Sequence, residues 1–108
     1  MSAATALGVF VALTMAGAQA AEAAEWRYCL SSSHEDRRIF LSRGFQTSTS
    51  MSMLETNFSD ALDQAHWRHD DIQCPRGDDE QAILAMRQQA ARFNRGMGNE
   101  VIDIRWPP

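Results

Sequence analysis

The segment 78-DDEQAILAMRQQAARFNRGMGNEVIDIRW-106 changes its hydrophobic period partway along, and that change decides the fold class. In its first part Ile83, Met86, Ala90, Phe93 and Met97 recur at spacings of three and four, the stripe of an amphipathic helix. Asp78 with Gln81 has capping-box spacing, Asp79 and Glu80 suit the positive helix N-terminus, and Arg92 and Arg95 suit the other end. Gly96 and Gly98 supply the left-handed residue that closes a helix. Beyond them Ile102, Ile104 and Trp106 alternate with Asp103 and Arg105, the period of a strand, and Pro107-Pro108 end it because proline has no N–H to donate.

Working toward the N-terminus, Cys74-Pro75-Arg76-Gly77 is a turn, and a first helix precedes it. Ser52 to Glu55 has the capping-box pattern, and Leu54, Phe58, Ala61, Leu62 and Ala65 carry the stripe, which predicts about four turns ending near His69. Upstream, Trp26, Tyr28 and Leu30 alternate with Arg27 and Cys29, and Arg37 to Ser42 is a second extended run. Ser31 to Asp36 between them is rich in turn formers, so the two runs read as a hairpin, with Gly44 a candidate bulge. The order β-β-α-α-β predicts an α+β domain over residues 26–108, a three-stranded sheet with both helices packed on one face. Trp26, Tyr28, Leu30, Ile102, Ile104 and Trp106 are expected on the sheet's side of that core, and Leu54, Phe58, Leu62, Ile83, Met86 and Phe93 on the helices' side.

The N-terminal part carries an address. No ionisable side chain precedes Glu22, Ala6 to Ala18 is apolar or small, and Ala18-Gln19-Ala20 fits a signal-peptidase site. Residues 1–20 are therefore expected to be a cleaved signal peptide and 21–25 a short polar leader, leaving no stable membrane anchor on a periplasmic or secreted chain. One feature disagrees, the absence of the basic n-region usual in signal peptides; an uncleaved anchor is disfavoured because it would need a longer apolar run. In an oxidising compartment the chain's two cysteines, Cys29 and Cys74, have one intramolecular pairing open to them, a single disulfide. At 108 residues and a formal charge of −4, with twelve acids against six arginines between positions 22 and 86, the chain has no basic surface for nucleic acid.

No motif specifies a reaction. His66 and His69, three apart on the expected first helix, would share a face and are the candidate metal ligands, though a bonded Cys74 would not be free to join them. His34 lies among Ser31, Ser32, Ser33, Glu35 and Asp36, the residue types of a nucleophilic triad, but neighbours in one turn cannot form its relay. Arg95-Gly96-Met97-Gly98 follows a helix where a phosphate loop would open one. Trp67, with Arg68, Arg43 and Phe45, is the candidate binding patch, because Trp and Arg combine contact area with directional donors. The leading expectation is an exported, non-enzymatic binding or accessory module with no cofactor and an envelope or extracellular protein as partner. A small metal-binding protein using His66 and His69, or a secreted enzyme or enzyme inhibitor, are the alternatives.

Overall fold

A computed structural model describes residues 23–108. The expected signal peptide lies outside these residues, as does the start of the leader. The chain is α+β and runs β1 (Glu25–Arg27), β2 (Leu30–Ser33), β3 (Arg38–Leu41), β4 (Phe45–Thr47), α1 (Met51–Gln64), β5 (Ile72–Gln73), β6 (Arg76–Gly77), α2 (Glu80–Gly96), β7 (Glu100–Asp103).

The single sheet expected from the sequence is replaced by two, a three-stranded one ordered β4-β1-β6 and a four-stranded one ordered β5-β2-β3-β7. Consecutive strands lead from one sheet into the other. On one side of β1–β2, Arg27 pairs with Arg76 and Leu30 with Gln73, so a single register crosses the gap and sets Cys29 opposite Cys74. The disulfide forms there, with Cα atoms 4.0 Å apart. On the other side Arg27 pairs with Phe45 but Leu30 with Leu41, so Tyr28 and Cys29 face three residues, Ser42 to Gly44. The extra residue is a bulge, as Gly44 suggested, and it bends the strand between the sheets. Ser42 stabilises the bend: its Oγ accepts from Cys29 N at 2.7 Å, its N–H donates to Cys29 O, and its own carbonyl, turned out of the ladder, accepts from Arg87 Nε at 2.6 Å. β2 also runs through Ser31 to Ser33, which the turn-rich composition had placed in the turn. These buried serines are satisfied: Ser31 Oγ lies 3.0 and 2.9 Å from the carbonyls of Asp70 and Asp71, and Ser33 Oγ donates to Asp36.

The helices cover opposite faces, not one. Cys29, Phe40, Leu54, Phe58, Leu62 and Cys74 form a core under α1, joined by Ile102, Ile104 and Trp106. Tyr28, Ile39, Leu41, Ile83 and Ala91 form another under α2, joined by Trp26, Leu30 and Val101. The expected sheet face is thus divided between the two cores. β3 explains why: its run Ile39-Phe40-Leu41 is apolar on both sides, the pattern of a strand covered twice. β7 pairs with it in parallel as an edge strand.

Both helix boundaries on the first helix differ from the sequence reading. Ser50, not Ser52, caps α1, accepting from Met53 N, and the helix stops at Gln64 because His66 takes φ 63°. His66 N donates to Asp63 O and Trp67 N to Leu62 O, the paired bonds of a left-handed helix stop. Asp79, not Asp78, caps α2, and Gly98 at φ 86° closes it as expected.

Candidate functional site

The four residues expected to form one patch fall into separate groups. Trp67 is half-buried on the first core, its ring 5.3 Å from that of Phe40, with the Arg38 guanidinium 5.3 Å above it. Arg68 pairs with Glu35 at 2.9 Å. Phe45 stacks edge-on against Trp106, and the Arg43 backbone N–H donates to the Trp106 carbonyl. Trp67 is therefore anchored by packing more than it is presented.

The expected shared face for His66 and His69 does not exist, since the helix has already ended at Gln64. His66 is exposed in the closing turn. The His69 ring, 11% exposed, has Nε2 2.9 Å from Asp63 Oδ1 and Nδ1 2.9 Å from the Asp70 carbonyl, so both nitrogens already face an oxygen of the chain itself. Among the described residues no three His, Cys, Asp or Glu side chains converge as a metal would need. His34 stays exposed, 3.9 Å from Asp70 Oδ2, and Ser33 turns to Asp36. A groove of about 670 Å³ between α1 and β5 is walled by Glu55, Asp60, Asp70 and Asp71. Among the described residues none of these acids pairs with an arginine, and Asp70 has only the exposed His34 ring, 3.9 Å away.

A different surface has the properties of a binding site. The apolar stripe of α2 is wider than the sheet beneath it. Ile83 and Ala91 are buried and Met86 and Ala90 half-buried, while Phe93 and Met97, next along the same flank, are 65% and 59% exposed. They overhang the α2 side of β2 and β3, where half-buried Leu30 and buried Ile39 form the floor. The result is a trough of about 510 Å³, and a second hollow of about 330 Å³ continues it past Phe93 toward Met86 and Tyr28. Burial pushes the Tyr28 phenol above its ordinary pKa against a smaller opposing pull from Arg87, so the ring enters this surface neutral.

No family model, curated protein or solved structure matches this chain. The site is accordingly read from its own geometry.

The rim of the trough is polar and held in place. Asn94 Nδ2 donates to the Ala90 carbonyl and Asn99 Nδ2 to Asn94 Oδ1, so these amides brace the helix end. Arg37 closes the β2–β3 hairpin at φ 55°, and its Nη2 donates to the Met97 carbonyl at 3.1 Å. Sequence reasoning assigned Phe93 to the core and left Arg37 in a strand. The stripe through Met86, Ala90, Phe93 and Met97 was legible; the overlooked signal was Ala91, eight residues after Ile83, because the buried line of α2 runs through those two and leaves the far end of the stripe to one side.

Proposed function

We propose that this chain is an exported, non-enzymatic binding module whose working surface is the trough beside α2. The observation that carries the reading is the pair Phe93 and Met97, large apolar side chains left more than half exposed beside a hollow with an apolar floor. Fully burying one such side chain is worth roughly 1.5 to 3 kcal/mol, so a ligand that covers both gains substantially from contact alone. Export is supported by the composition of residues 1–20 and by the Cys29–Cys74 disulfide, a bond favoured outside the reducing cytosol. Among the described residues no helix is long and apolar enough to cross a membrane.

The test places a photocrosslinking amino acid at position 93, and in a control at the exposed helix position 64, in cells that make the protein. Adducts of defined mass from position 93 and none from position 64 are expected. No adduct at 93, or the same adducts at both positions, would overturn the reading.

A further inference from the structure

We propose that the ligand of the trough is a small organic carboxylate, its apolar body lying on Leu30, Ile39, Phe93 and Met97 and its carboxylate held by Arg37; the inference rests on the trough being the binding surface. Three observations about Arg37 lead there. The residue occupies a left-handed backbone position, φ 55°, where glycine or asparagine is the easier choice, so a long cationic side chain is retained there at a conformational cost. Its head also lies against the backbone that closes α2: a Cβ on Gly98, whose φ of 86° already calls for glycine, would lie 2.6 Å from Arg37 Nη2. Finally, the head is unpaired. Arg27, Arg38, Arg68, Arg76 and Arg87 each meet a carboxylate among the described residues, whereas Arg37, Arg43, Arg92, Arg95 and Arg105 meet none; of these five Arg37 is the one that lines the trough, and it gives one hydrogen bond, to the Met97 carbonyl.

A guanidinium has five N–H donors in a planar fork that matches a carboxylate, so one carbonyl leaves most of that capacity open at the trough's rim. The nearby amides do not compete, because Asn94 and Asn99 bond to the helix end and to each other. Arg38, the neighbouring cation, directs its head to Glu100 and Trp67. A permanent cation beside an apolar floor selects an acid with an apolar body over a neutral compound of the same shape.

The probes are 4-phenylbutanoate and 4-phenylbutanol, titrated into the isotope-labelled protein while the NMR signals of Leu30, Ile39, Phe93 and Met97 are followed. The acid is expected to shift these signals and to bind at least tenfold more tightly than the alcohol. Arg37→Gln should abolish that preference, and Phe93→Ser should weaken both probes. If Arg37→Gln lowers the melting temperature, the acid-to-alcohol ratio on the wild type decides alone. Equal binding of acid and alcohol would overturn the role of Arg37 while leaving an apolar binding surface. Shifts at none of the four residues would overturn the carboxylate ligand, and the crosslinking at position 93 would then decide separately whether the trough binds anything.

Discussion

Glu25 shows how single residues at the start of the ordered chain are held. Its carboxylate accepts from Arg76 Nη1 at 2.7 Å and from Arg27 Nη2 at 3.1 Å. The hydrogen bond from Arg76 is the largest influence and holds the acid below its ordinary 4.5; desolvation acts the other way and is outweighed once Arg27 is added. A carboxylate with a depressed folded-state pKa contributes stability that is fully present above the unfolded value and is lost as pH falls through the folded one. Glu25→Gln is therefore expected to melt below the wild type at neutral pH, with the gap closing as pH drops beneath 4.5. Melting curves from pH 7 to 2 test this, and a gap that persists in acid would refute it. Arg27 itself was only half legible. Alternation correctly turned it away from Trp26 and Tyr28, but that second face is also covered, so Arg27 is buried and its Nη1 donates to the Cys74 carbonyl. A period of two shows which side chains share a face; it does not show that the opposite face is wet.

At the scale of elements, the two helices end by the same device with different residues. Gly98 and His66 both take positive φ, and each is followed by a residue whose N–H reaches back to the helix, Asn99 to the Asn94 carbonyl and Trp67 to the Leu62 carbonyl. The end of α2 was legible because glycine announces it; the end of α1 was not, because histidine does not. Start signals were ambiguous by one or two positions, where adjacent residues could each cap. Asp79 Oδ1 accepts from Ala82 N at 2.8 Å, and no such bond is made by Asp78. Asp79→Ala is expected to cost about 1 kcal/mol and Asp78→Ala much less. Urea denaturation of the two variants checks this, and equal losses would place the cap wrongly.

For the whole molecule, the disulfide joins bent strands at the place where both sheets meet. Its loop of 45 residues corresponds to roughly 4 kcal/mol in the chain-entropy account, and the bond also holds the α1 core together at its centre. Replacing both cysteines by alanine is expected to destabilise by about 2 to 5 kcal/mol. Reductant should lower wild-type stability by a similar amount and leave the double variant unchanged. Identical denaturation curves for oxidised wild type and double variant would contradict the staple. The α+β class and the pairing of Cys29 with Cys74 were readable in advance, and the count of sheets and the side each helix takes were not.

What the sequence determined by itself is what local chemistry decides: the period-two and period-3.6 segments, the glycine that stops α2, and the one pairing open to two cysteines. The tertiary structure alone decided which apolar surfaces meet. Ile39-Phe40-Leu41 can be covered on either side or both, and only the placement of α1 and α2 on opposite faces settles that it is both. The same placement leaves Phe93 and Met97, at the end of the α2 stripe, overhanging β2 and β3, with Arg37 at the rim. Periodicity is a property of a few neighbouring residues, whereas a trough between a helix and a strand sixty positions apart in the chain exists only once the rest has folded around it, as the bond from Arg37 to Met97 across that separation records.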